Sequence, residues 1–64
     1  MAHRETFTID VTISRDDEHG THQKTERVYA RLREDVPVMV AVDYAEEKVL
    51  EANPGWFLER CEVV

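Results

Sequence analysis

Residues 6–14 alternate without a break: Phe7, Ile9, Val11 and Ile13 fall on one side, and Thr6, Thr8, Asp10, Thr12 and Ser14 on the other. A period of two, rich in β-branched residues, marks a strand with one buried face. The opposite face is polar, so the sheet is wet on one side, and such sheets are antiparallel. The apolar face therefore needs a cover. With 64 residues in all, the chain has room for little more than the sheet and that cover. A chain of this length removes only about 60% of its unfolded surface from water. One domain spanning residues 1–64 is expected, with a small core.

The rest of the chain supplies partners for that strand. Arg15 to Gly20 is charged and ends in glycine, which reads as a hairpin loop. Residues 21–33 read as the returning strand, with Val28, Ala30 and Leu32 inward and Arg27, Tyr29, Arg31 and Arg33 outward. Its first half, Thr21 to Glu26, lacks apolar residues and reads as a solvated ribbon or a long loop. A helix is expected over about 36–52. Asp35 suits its N-cap, and Pro37 costs no hydrogen bond in a first turn. Asn53-Pro54-Gly55 is a stop. Val38, Ala41, Val42, Ala45, Val49 and Ala52 form one stripe at helical spacing. Val36 to Val42 is also rich in β-branched residues, as a strand would be. The stripe continues unbroken, however, and Tyr44 to Ala52 favours helix. The last strand, about 56–64, has mixed faces: Phe57, Cys61 and Val63 fall with Glu59, while Trp56, Leu58 and Val64 fall with Arg60 and Glu62. A bulge or an edge position would reconcile them. The order is β-β-α-β, an α+β two-layer domain with a three-stranded antiparallel sheet and one helix on one face.

Charge is divided unevenly. Residues 1–33 hold six acids and six bases, whereas residues 34–64 hold eight acids against Lys48 and Arg60, so the whole net charge of −6 belongs to the second half. Such asymmetry speaks to partners rather than to fold. Phosphates would be repelled by that half, which disfavours direct nucleic-acid binding and favours a basic protein partner. The single cysteine excludes an internal disulfide framework. The longest apolar run, Val36 to Val42, is interrupted by Pro37 and falls far short of the roughly 20 residues of a membrane span. The opening Met-Ala-His-Arg-Glu-Thr lacks the apolar core of a secretory leader. A cytoplasmic location is expected.

Candidate sites follow from spacing. On the helix, Asp43, Glu47 and Glu51 recur every four residues opposite the apolar stripe, with Glu46 beside them. Successive members are about 6 Å apart along the axis, near two nucleotide steps of a DNA strand. Like charges so placed cost about 0.2–0.5 kcal/mol per pair, and no Lys or Arg follows four residues later to offset them. Met39, Tyr44 and Leu50 flank this face as apolar anchors. Asp16, Asp17 and Glu18 form a second acidic group without the spread of ligands a calcium loop needs. His19 and His22 share one turn, but zinc requires two more ligands, and His3 and Cys61 are not fixed nearby. Cys61 lies among Glu59, Arg60 and Glu62, neighbours that oppose a thiolate. No catalytic residues, metal or cofactor are expected, and the chain does not read as an enzyme.

A stand-alone β-β-α-β domain with one acidic side and no reaction chemistry resembles the small anti-CRISPR proteins of phages and mobile elements. The resemblance spans the whole chain in size, element order and acidity, and rests on no motif. It implies a non-enzymatic inhibitor that occupies the basic nucleic-acid groove of a Cas surveillance complex, by DNA mimicry or steric block, in a host bacterium. The residues that would carry this are Asp43, Glu46, Glu47 and Glu51, with Asp16, Asp17 and Glu18, and with Met39, Tyr44 and Leu50 as anchors. Arg27, Arg31 and Arg33 depart from a uniformly acidic mimic. Two rivals come from other classes. One is a nucleic-acid-binding regulatory module using Arg27, Tyr29, Arg31 and Arg33. The other is a homo-oligomeric domain associating through Val40, Tyr44 and Leu50. Both monomer and homodimer are compatible with the composition.

Overall fold

The computed structural model describes residues 4–64. His3 and the two residues before it, which bear on the leader and distant-ligand expectations, lie outside that range. The chain forms strand β1 (Arg4–Asp17), strand β2 (Gly20–Arg33), helix α1 (Val38–Ala52) and strand β3 (Phe57–Val63). The sheet has the order β2-β1-β3 and is antiparallel throughout. Helix α1 covers one face. The architecture is the small α+β β-β-α-β domain that the alternating first strand and the single helical stripe imply.

The β1–β2 ribbon is longer and more regular than the sequence suggests. Its pairing runs from Arg4↔Arg33 to Asp17↔Gly20 without a shift. Only Glu18 and His19 remain to turn. Gly20 closes the turn at φ 118°, which side chains with a Cβ rarely adopt. The expected loop at 15–20 is therefore mostly strand, and Thr21 to Glu26 is ribbon. Polar side chains hold the tip: Thr21 Oγ1 donates to Asp16 Oδ1 at 2.6 Å, and the His19 N–H donates to Asp17 Oδ1 at 2.7 Å. Strand β3 pairs no further along β1 than Ser14↔Phe57, so the ribbon projects beyond the three-stranded part. The molecule is 53 Å long and only 19 by 13 Å across. Its radius of gyration is 13.6 Å, against roughly 11 Å for a compact chain of this length.

The core consists of Ile9, Val11, Ile13, Ala30, Ala41, Ala45 and Val49. Ala41 and Ala45 allow the helix to lie close to β1. Two details of α1 correct the sequence-based picture. Its N-cap is Pro37, not Asp35, and no side chain caps it. Proline bars the residue before it from helical angles, so Val36 stays outside and the helix starts at Val38. The Asp35 carboxylate instead lies 3.9 Å from Arg33 Nε. The buried stripe is also narrower than expected: Ala41, Ala45 and Val49 are buried, Val42 is half-buried, and Val38 and Ala52 are exposed. A straight helix meets a twisted sheet mainly over its middle turns. The helix ends at Ala52, before Asn53-Pro54-Gly55. The Asn53 amide donates to Val49 O at 2.7 Å and to Glu26 Oε2 at 2.5 Å, tying the helix end to β2.

Strand β3 resolves its mixed faces by a bulge. Thr12 pairs with Arg60 but Ile13 pairs with Leu58, leaving Glu59 as an extra residue. Leu58, Cys61 and Val63 thereby share the helix side, while Phe57, Arg60 and Glu62 share the open side. Ser14 Oγ donates to Glu59 Oε1 at 2.6 Å, which holds the bulge against the open face. Trp56 lies on the helix side, with Arg15 Cζ and Lys24 Nζ at 5.2 and 4.7 Å from its ring centre. Such contacts contribute about 0.5–1 kcal/mol each at exposed sites, and they dock the base of the ribbon. Phe57 points the other way and is 70% exposed. Among the described residues no helix is long and apolar enough to cross a membrane.

Candidate functional site

The outward side of α1 carries Asp43, Glu47 and Glu51, all exposed, while Glu46 is half-buried toward β3. Together with Leu50 they line an open trough of about 500 Å³. None of these four carboxylates has an ion-pair or hydrogen-bond partner among the described residues. Elsewhere most acids are matched: Asp10 with Arg27, Asp17 with Arg15 and His22, Glu26 with Lys24 and Asn53, Asp35 with Arg33, Glu62 with Arg60, with Glu5 and Glu34 the exceptions among the described residues. The one lysine of the helix, Lys48, lies over the Tyr44 ring at 5.8 Å. No basic residue occupies the last helical turn and no acid the first, while Glu51 stands in the last turn and opposes the helix dipole. Two like-charge pairs plus a misplaced Glu51 cost about 1 kcal/mol. The anchors behave differently from one another. Met39 is 62% and Tyr44 46% exposed, whereas Leu50 is half-buried against the core.

The second acidic group is not brought to this face. Asp16 and Asp17 stand at the ribbon tip, where their own chain occupies them. Asp16 accepts from Thr21. Asp17 Oδ2 is 3.0 Å from His22 Nε2 and 3.8 Å from Arg15 Nη2. The His19 N–H above all, then His22 and Arg15, hold the Asp17 carboxyl below its ordinary range. Glu18 faces His19 at 3.5 Å. Each of these two histidines thus lies beside an acid, and among the described residues no group of three or more metal-ligating side chains is placed to hold an ion. Burial first, and Glu46 second, push the Cys61 thiol up. It stays protonated at neutral pH and is a poor nucleophile.

The basic stripe on the open side is split. Arg27 donates to both Asp10 oxygens, Nε at 2.8 Å and Nη2 at 3.0 Å. Those bonds hold the Asp10 carboxyl below its usual range. A lowered carboxyl means the unfolded chain binds the proton more readily. The pair therefore adds stability above about pH 4, and that stability is lost as pH falls through the folded value. Thermal midpoints of the native chain should drop below pH 4, with a shallower acid slope for Asp10→Asn. Equal slopes would show that the pair adds nothing. Arg31 remains without an acid, Arg33 leans toward Asp35, and Arg4 stands directly opposite Arg33. The expected start of strand one at residue 6 missed Arg4. Centring the hairpin between residues 18 and 19 would have found it. No protein-family model, curated protein or solved structure matches the chain.

Proposed function

We propose that the chain is a non-enzymatic inhibitor whose acidic helix face fills a basic nucleic-acid-binding groove of a larger protein. One observation carries this. Asp43, Glu46, Glu47 and Glu51 are left without partners on a helix that they weaken, in a chain that matches most of its other acids. A groove built for phosphates would provide those partners and recover the cost. Exposed Met39 and Tyr44 flank the charges and supply apolar contact, as the core of an interface requires. Charge of this kind speeds encounter and is sensitive to salt. The resemblance to anti-CRISPR proteins makes a Cas surveillance complex in a bacterial cytoplasm the partner to try first. Displacement of labelled DNA from such a complex, followed by fluorescence anisotropy, tests the proposal. Displacement is expected near equimolar chain and should weaken at least tenfold between 50 and 300 mM salt. Tight DNA binding by the chain alone, seen as a gel shift, would overturn it. That result would favour the second reading, which the juxtaposition of Arg4, Arg31 and Arg33 beside exposed Tyr29 supports: a nucleic-acid-binding sheet face.

A further inference from the structure

We infer that the outer edge of β2 pairs with β2 of a second copy of this chain, joining two sheets into one of six strands. The surface shares Tyr44 with the flank of the acidic helix face but none of its carboxylates, and the inference does not depend on that reading. Val64 N–H donates to Thr8 O at 2.8 Å, so the even-numbered residues of β1 direct their backbone groups to β3. The odd ones then serve β2. Antiparallel register leaves the N–H and C=O groups of Thr21, Gln23, Thr25, Arg27, Tyr29 and Arg31 facing outward without a strand partner.

The two edges of the sheet are guarded unequally. Strand β3 is short, bulged at Glu59 and charged at Arg60 and Glu62, devices that discourage edge pairing. Strand β2 runs 14 residues with no proline, no bulge and an unbroken register. Its charges are largely matched within the chain, Lys24 by Glu26, Arg27 by Asp10 and Arg33 by Asp35, leaving Arg31. Above this edge lies a groove of about 440 Å³ lined by Tyr29, Ala30, Arg31, Leu32 and Tyr44. Val40, one helical turn before Tyr44, is exposed as well.

The side chains select the second copy as occupant and fix its register. A two-fold axis at Ala30 sets Ala30 against its own counterpart, and Val28 against Leu32 on each side of it. All three inward apolar residues of β2 then extend the core layer across the axis. On the open face the same register sets Tyr29 against Arg31 twice, an aromatic–cation pairing, and Arg27 against Arg33 twice, a like-charge opposition tempered by the Asp10 and Asp35 carboxylates beside them. Axes at Val28 or Thr25 instead place Glu26 or Lys24 against apolar residues, or leave Val28 and Leu32 without apolar partners. Tyr29 is 65% and Tyr44 46% exposed. Covering both in each copy would bury roughly 400 Å² of aromatic surface. Paired backbones, Val40 and Leu32 add to it, toward the roughly 1,200 Å² of a stable interface. Both helices come to one side of the joined sheet, with their acids outward.

Sedimentation equilibrium from micromolar to millimolar chain tests this, and a mass twice that of one copy is expected at the upper end. Arg31→Pro removes an outward N–H while sparing the β1 ladder, and should raise the dimer dissociation constant at least tenfold. Tyr44→Lys, at an exposed helix position, should do the same should the proline variant fold poorly. Phe57→Ser, on the opposite edge, should change nothing. In a Cys61→Ser background, Ala30→Cys should cross-link on mild oxidation because residues facing each other in such a pair are about 4.5 Å apart at Cα. Gln23→Cys should not. A monomer at every concentration would overturn the inference. So would a dimer lost with Phe57→Ser but kept with Arg31→Pro and Tyr44→Lys, or one that Ala30→Cys fails to cross-link. Capture of an extended peptide along the edge by a chain that stays monomeric would overturn it equally.

Discussion

Replacing Glu47 by lysine should raise the thermal midpoint and weaken partner binding in the same variant. Glu47 stands four residues after Asp43 and four before Glu51, so it takes part in both repulsive pairs. Glu47→Lys converts both to attraction, a gain of about 0.8–2 kcal/mol. In a domain of this size 1 kcal/mol corresponds to about 4–8 °C, so a rise of about 4 °C or more is expected. The same change places a cation where a basic groove would meet it, and DNA displacement should weaken tenfold or more. Reversing Asp43, Glu47 and Glu51 together restores the repulsion with opposite sign. That triple variant should melt at or slightly above the native midpoint, because a lysine at position 51 suits the helix C-terminus, yet lose displacement altogether. A stabilised Glu47→Lys chain that displaces DNA as well as the native one would sink the acidic-face proposal. It would also reduce the carboxylates to a solvated surface.

Ile9→Ala should come close to unfolding the domain. Ile9 is fully buried in the middle of β1, with Val28 on one side and Val63 on the other. Truncating a buried isoleucine to alanine costs about 2–5 kcal/mol. A chain of this size has about 3–10 kcal/mol of net stability to lose. With a urea slope of about 1 kcal/mol per molar, the midpoint should fall by about 2 M or more. Phe57→Ala removes a larger side chain but an exposed one, and should stay within about 0.5 kcal/mol. Both need comparison at one chain concentration, because association couples to stability. Similar losses from the two changes would mean that Phe57 is covered in solution and that the core extends to the open face.

What could be read in advance depended on whether the signal was periodic. The alternation of Phe7 to Ile13 and the four-residue recurrence of Asp43, Glu47 and Glu51 are local patterns, and each survives in three dimensions. The helix start did not read correctly, because Asp35 is a good cap in isolation while Pro37 decides where helical angles can begin. Strand β3 resisted because the bulge at Glu59 changes the side on which every later residue falls. Thr21 and His22, as partners of Asp16 and Asp17, come from cross-strand register, which follows only once the centre of the hairpin is placed. The same holds for Arg4 beside Arg33. Nothing local in the order of elements says whether the last strand joins β1 or β2.

That last choice shapes how the molecule comes into being. The central strand is made first by the ribosome, and its second neighbour is made last. Until β3 emerges, a nascent chain can close the hairpin and even dock the helix, but one flank of Ile9 and Val11 stays bare. Premature contacts with other nascent chains are a hazard during that interval. The two-residue turn at Glu18-His19 limits what is bare during it, by letting the β2 flank close before β3 arrives.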